Sequence, residues 1–190
     1  MDRYSCFSEL AAREARGADY EICARRRAAS RVAVIAPHGG GIEPETSRIA
    51  ESIVGAEFSL YCFLGLKRTG NCVLHITSHN FDEPECLGLI AEHDWVLAIH
   101  GCQEPGERAF LGGLDKPFIR DLASALHAAG IPVESTGHSY PGKHPHNICN
   151  RGARSTGAQF ELSLPFRRGN RVPLFIEVVR EVLARIEYAV

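Results

Sequence analysis

A chain of 190 residues, 45% hydrophobic and 23% charged, has the size and mixture of one globular domain spanning residues 1–190, and is neither disordered nor fibrous. A net charge of −2 excludes a generally basic surface, and with it nucleic-acid binding driven by counterion release. No apolar run reaches the ~18 residues of a membrane span, Met1-Asp2-Arg3-Tyr4-Ser5 does not open a secretory signal, and seven scattered cysteines form no CxxC pair, so a cytoplasmic protein with reduced thiols and no membrane partner is expected.

In chain order, the run 32–36 is short, apolar and rich in β-branched residues, and it stops at Pro37 and a glycine cluster, the profile of a buried strand. A helix is expected next, with Pro44 at its first position and Ile49, Ile53 and Val54 at helical spacing. Strands follow at about 57–64 and 72–77, a helix near 84–92, and a strand at 94–100. Residues 114–129 read as an amphipathic helix stopped by Gly130, with Phe118, Leu122, Ala125 and Leu126 on one face. Strands at 131–134 and 157–164 and a helix at 173–190 complete the pattern. Helices alternating with strands predict an α/β fold, a three-layer α/β/α sandwich with a mixed central sheet. Ligands bind such sheets beyond the carboxyl ends of the strands. The chemistry is therefore expected at 37–43, 100–108 and 135–154.

The segment Pro37-His38-Gly39-Gly40-Gly41-Ile42-Glu43 joins a strand end to a helix start. Three glycines in a row lose backbone entropy on folding and are kept where the chain takes positive φ or something approaches it closely. An imidazole and a carboxylate flank them, and a loop folding over the glycines brings both heads to one point. Catalytic zinc takes three protein ligands and keeps a fourth position open, so one ligand is missing. His100, closing the strand at 94–100 against Gly101, is the third expected ligand, giving Zn²⁺ on His38, Glu43 and His100. His138, His144 and His146 form a competing set in a Pro/Gly-rich loop better suited to touching substrate. His75 and His79 end a predicted strand, where they orient a ligand or substrate or are structural.

Together these segments resemble the bacteriophage-type poly-γ-glutamate hydrolase family of zinc peptidases. The matching stretches lie within 7–165: Ala36-Pro-His-Gly-Gly-Gly-Ile-Glu-Pro44, Leu74-His-Ile-Thr-Ser78 with Phe81-Asp-Glu-Pro84, Ile99-His-Gly-Cys102, and Asn147-Ile-Cys-Asn-Arg-Gly152 leading to Gln159-Phe-Glu-Leu-Ser163. The resemblance implies a fold similar to zinc carboxypeptidases, zinc on His38, Glu43 and His100, and cleavage of γ-linked glutamate polymer. Two features depart from the carboxypeptidase arrangement: four residues separate His38 from Glu43 rather than two, and Asn150-Arg151 follow the third ligand rather than precede it.

A zinc hydrolase needs a base to take a proton from the attacking water. Glu161 is the candidate, because in 158–163 it shares a strand face with Gln159 and Ser163 while Phe160 and Leu162 take the other. The carboxypeptidase-like arrangement also places its glutamate on a late strand, and Glu104 and Glu107 are the substitutes. For an anionic substrate, Lys143, Arg151, Arg154, Arg167 and Arg168 supply cations near the expected mouth, Arg151 offering a planar fork for a carboxylate and Asn150 a further donor. The same metal set suits a deacylase of small N-acyl amino acids, or a non-catalytic polymer-binding module with a structural metal. A thiol hydrolase built on Cys102 and His100 is a third reading.

Overall fold

The computed structural model describes residues 2–188. Six strands build one sheet: β1 (Tyr20–Arg25), β2 (Val32–Gly40), β3 (Ser59–Gly65), β4 (Trp95–Cys102), β5 (Ala109–Gly113) and β6 (Ala158–Ser163), in the order β1-β3-β2-β4-β6-β5. The inner strands β3, β2, β4 and β6 run parallel, and β1 and β5 pair antiparallel at the two edges. The expected mixed sheet is present, with its apolar β-branched runs at the centre, where strands are covered on both faces.

Alternation along the strands divides the core in two. Val32, Val34 and Ala36 of β2, Leu97 and Ile99 of β4, and Ala158, Phe160 and Leu162 of β6 join one layer with α2 (Thr46–Val54), α4 (Lys116–Ala128) and α6 (Val172–Tyr188). Ala33, Ile35, Val96 and Ala98 join the opposite layer with α1 (Phe7–Ala11), α3 (Pro84–Ile90) and the chain around 74–81. This is the three-layer sandwich. α4 shows how the sequence builds one wall: the Asp115 carboxylate caps the Phe118 N–H at 3.2 Å, Pro117 fits the first turn, and Phe118, Leu122 and Leu126 are buried. Each such side chain contributes about 1.5–3 kcal/mol of burial. A further short helix, α5 (Leu164–Arg168), follows β6 directly. Among the described residues no helix is long and apolar enough to cross a membrane.

Several expectations change. Residues 72–77 are not a strand: a 3-10 turn covers Asn71–Leu74, set up by Gly70 at φ 73° and by the Asn71 amide, which bonds both N–H and C=O of Lys67. At 131–134 only Glu134 pairs, through a single bridge to Phe110. β1 and β5 replace it as the antiparallel edges. α2 starts at Thr46 rather than Pro44, because Glu45 takes a left-handed φ of 78°. The closing helix begins at Val172, and residues 189–190 of the expected span lie outside the described residues. β2 continues past Ala36 to Gly40.

That continuation positions the site. Opposite β3, Ala36 pairs with Cys62 and Gly39 with Leu64, so β2 uses three steps where β3 uses two, a bulge at Pro37-His38. Simple alternation would put His38 on the side of Val34 and Ala36. The extra residue turns it to the opposite face, where its ring meets Phe81 edge-on at 6.1 Å. His100 shares that face with Val96 and Ala98, and Glu161 lies opposite Phe160 and Leu162 on β6. All three therefore emerge on one side of the sheet, at the carboxyl ends of parallel strands.

Candidate metal centre

Glu43 arrives from the turn after β2. Its N–H bonds the His38 carbonyl at 2.8 Å, closing the loop over the glycines. Gly40 has φ 62°, and a Cβ there would stand 2.5 Å from the Gly65 carbonyl oxygen, so the turn needs glycine for conformation and for room. Glu43 Oε2 accepts the Gly101 N–H at 2.7 Å, which leaves Oε1 facing His38 Nδ1 at 3.1 Å. His100 Nδ1 lies 3.1 Å from His38 Nδ1 and 3.8 Å from Glu43 Oε2. Adjacent ligands around a tetrahedral centre with bonds of 2.0–2.1 Å stand about 3.3 Å apart, so this donor set fits a divalent metal.

The tautomers agree with that fit. His38 Nε2 donates to the Ile76 carbonyl at 2.8 Å, which leaves Nδ1 as the nitrogen turned toward Glu43 and His100 and free to bind a metal once its proton is displaced. Both imidazoles are buried. Burial disfavours the His38 cation, but the Glu43 carboxylate outweighs it and holds His38 above the ordinary histidine range. Burial also acts on His100 and, with the His38 and His75 charges, pushes it down to about 3 despite Glu43.

His75 is the ligand-competent residue whose place the sequence left open. Its ring lies 4.1 Å from that of His38, tilted by 34°, its Nε2 lies 3.9 Å from Glu43 Oε1, and its Nδ1 meets the Asp2 carboxylate at 2.8 Å. Asp2 also accepts from the Thr77 N–H and hydroxyl, each at 2.6 Å. His38, Glu43 and His75 each offer a donor atom within 4.8 Å of the others. The centre thus carries one carboxylate and three imidazoles, with His75 flanking the tighter set of His38, Glu43 and His100. A pairing of polar neighbours around 71–77 is not visible as a strand pattern; the available signal was the Leu74-His75-Ile76-Thr77-Ser78 motif itself.

A cleft of about 330 Å³ opens over these groups, lined by His38, Glu43, His75, His100, Tyr140 and Glu161. Glu161 stands directly opposite His100 in the β4–β6 pairing. Burial first, and then the Glu43 charge, push its carboxyl well above the usual range, while Gln159 Nε2 approaches Oε1 at 3.4 Å. Tyr140 donates to Glu104 at 3.0 Å, and Glu107 pairs with Arg171 at 3.2 Å, so the two substitute carboxylates are engaged elsewhere. Cys102 lines the cleft, but burial raises its thiol and His100 is a weak base, which does not suit a thiolate nucleophile.

Asn150 and Arg151 do not line the cleft. The buried Asn150 amide accepts from Leu114 N–H and Gly157 N–H and donates to the carbonyls of Gly142 and His144, tying four backbone points together. Arg151 donates to the Phe81 carbonyl at 3.1 Å. Arg167, expected at the mouth, is buried beneath it: its guanidinium packs on Gly101 and donates to the Pro44 carbonyl, pinning the turn that carries Glu43. His138 bonds the Leu111 carbonyl at 3.2 Å, and the His144 ring lies 4.9 Å from His79 and 5.5 Å from His146.

Known proteins resemble this arrangement throughout. YndL of Bacillus subtilis (strain 168) is 39% identical over 169 residues, 88% of this chain and 66% of YndL. The chain spans about two thirds of the length of the curated relatives it matches, from 61% to 69%. The structure of a bacteriophage poly-gamma-glutamate hydrolase superposes with a TM-score of 0.93 at 29% identity, covering 98% of each chain. A zinc-free apo structure of YndL gives 0.90 at 35% identity, covering 98% of this chain and 99% of that one. The profile of the poly-gamma-glutamate hydrolase family matches residues 4–177, and the chain belongs to that family.

Proposed function

We propose that the chain is a zinc-dependent hydrolase that cleaves γ-glutamyl amide bonds of poly-γ-glutamate with a water nucleophile. The observation that carries the reading is the convergence of His38 Nδ1, Glu43 and His100 Nδ1 at ligand separations, with Glu161 one strand away. Family membership supports the substrate class, and the zinc-free description of the YndL structure supports the metal.

A zinc ion bound there supplies Lewis acidity, polarising the scissile carbonyl and making a nucleophilic water available near neutral pH. His38, Glu43 and His100 hold it, with the Ile76 carbonyl and the Gly101 N–H fixing the ligand orientations. Asp2 orients His75 at the rim of the set. Glu161 takes the proton from the attacking water at a carboxylate oxygen and returns it to the leaving nitrogen. The environment that raises its pKa suits a carboxyl that must carry the proton for part of the cycle. Asn150 and Arg151 are assigned to holding the loops around the cleft rather than to gripping substrate.

The cleft is continued past His75 and Gln103 by a second hollow of about 470 Å³, and this open form suits a polymer better than a closed deacylase pocket. The test is metal analysis of purified protein, with assays on γ-linked and α-linked glutamate polymers and on N-acyl amino acids. About one zinc per chain and cleavage of the γ-linked polymer are expected. Selective cleavage of N-acyl amino acids would replace the polymer reading with the deacylase one, and a zinc-loaded protein without hydrolysis would leave a binding module.

A further inference from the structure

A cavity of about 740 Å³, more than twice the 330 Å³ of the cleft, lies between β5, one face of α4 and the segment 135–143. Its lining includes Leu111, Gly112, Lys116, Arg120, His127 and Lys143, and contains no aspartate or glutamate. In a chain of net charge −2 this is a local concentration of positive charge. The floor is apolar, with Leu114 and Ile119 beside Leu111. Lysine and arginine side chains thus line the same space as hydrocarbon, a combination that suits stems covering an apolar surface.

The cavity lies at the β5 edge of the sheet, next to the strand that carries Glu161. Glu161 pairs with Phe110 across β5–β6, and Gln159 pairs with Gly112, so the cavity wall at Gly112 is one strand across and two residues along from Glu161. At a strand spacing of about 4.8 Å and a rise of about 3.4 Å per residue, the offset is about 8 Å. The segment 138–141 contributes to both spaces: Tyr140 lines the cleft, while His138 and Pro141 line the cavity. That segment lies on β5, since the Gly113 N–H bonds the Pro141 carbonyl at 2.9 Å. A Cβ on Gly112 would come within 2.7 Å of the Tyr140 carbonyl oxygen.

We propose that this groove is a distal subsite for an anionic γ-glutamate chain whose scissile bond lies in the cleft. The inference rests on the hydrolase reading and extends it. Each unit of such a chain carries one free carboxylate on a short hydrocarbon and amide backbone, so anionic and apolar surface alternate along it. Lys116 and Lys143 match the carboxylates, Arg120 pairing with Asp121 at 3.6 Å, and Leu111, Leu114 and Ile119 match the methylenes. Contacts so far from the reacting bond bind substrate and transition state alike, so they act on KM and only for chains long enough to reach them.

The test is the double variant Lys116→Glu/Lys143→Glu, two exposed positions on the groove rim. In zinc-loaded protein, the ratio of kcat/KM on long poly-γ-glutamate to kcat/KM on a γ-glutamyl oligomer confined to the cleft should fall about tenfold, the summed effect of two exposed attractions turned into repulsions. The fall should shrink in high salt, which screens exposed charges. A ratio equal to that of the unaltered protein overturns the subsite. Binding of the long polymer to the Glu161→Gln protein, with and without the double change, reads the groove even if no γ-glutamyl bond is cleaved. Loss of that binding on charge reversal supports the groove while absent cleavage defeats only the hydrolase reading; undiminished binding rejects the groove.

Discussion

Glu161 stands where a carboxylate is hard to ionise, buried beside a second carboxylate, Glu43. Replacing it by glutamine keeps the shape and removes the proton carrier. Glu161→Gln should therefore retain zinc while kcat falls by about 10²–10⁴, measured by metal analysis and steady-state kinetics on the same preparation. Activity near that of the unaltered protein would end the assignment. Asp2 acts one step further out, through His75. Asp2→Ala, which frees a flanking imidazole rather than a ligand, should weaken zinc affinity by less than the about 10–100-fold expected for an orienting bond to a ligand itself, and chelator competition reads this without any substrate. Asn150 offers a contrast. Asn150→Ala leaves the buried Gly157 N–H without its acceptor, while the Leu114 N–H keeps the Gly157 carbonyl, so stability should drop by about 1–3 kcal/mol in denaturant titration. If KM for the folded fraction also changed, its role in substrate binding would return.

At the scale of elements, the turn after β2 is the most constrained part of the site. Gly40→Ala combines a positive φ with a Cβ against Gly65, and should cost about 1–3 kcal/mol and lower zinc content, because the same turn delivers Glu43. Urea unfolding and metal analysis check the two effects separately. β2 and β4 were legible in the sequence because strands buried on both faces leave an apolar, β-branched signature that needs no partner to read, and β6 because Phe160 and Leu162 alternate with Gln159, Glu161 and Ser163. The glycines between His38 and Glu43 were legible for a similar local reason, since they signal a turn and two donors flank it. β5 was not, being five residues with two glycines, and β1 carries charge at an edge. The chain around His75 failed in the other direction: an apolar run with β-branched residues looked like a strand, while Gly70 and the Asn71 amide bent it into a turn. Asn150 looked like a substrate donor because a sequence does not reveal which backbone groups will surround an amide.

Across the molecule, the N-terminal stretch ties distant parts together. Asp2 holds His75 and Thr77, the Phe7 N–H bonds Asp82 at 2.6 Å, and Glu14 joins Tyr4 and Lys67, both at 2.6 Å. Burial opposes the Glu14 charge, but Lys67 and Tyr4 outweigh it and hold its carboxyl below the ordinary range; the Ala15 N–H and Lys67 do the same for Asp19. Depressed carboxylates stabilise the fold fully above their unfolded values of about 4, and that contribution disappears as pH falls through the lower folded values. Glu14→Gln should thus melt earlier than the unaltered protein at pH 7, with the gap closing as pH falls below about 4. An equal gap at pH 7 and pH 3 would place the loss in packing instead. The bulge at Pro37-His38 reaches this scale too, because it makes the catalytic face a matter of parity. Exchanging Pro37 for another residue leaves the count of residues intact and His38 on its side of the sheet. Deleting Pro37 restores two-for-two pairing with β3 and sets the imidazole opposite Phe63, still on the catalytic face. The face of the imidazole is therefore set by its place one residue before Gly39, so related chains that keep the centre should keep that adjacency even where they change or drop the residue before it.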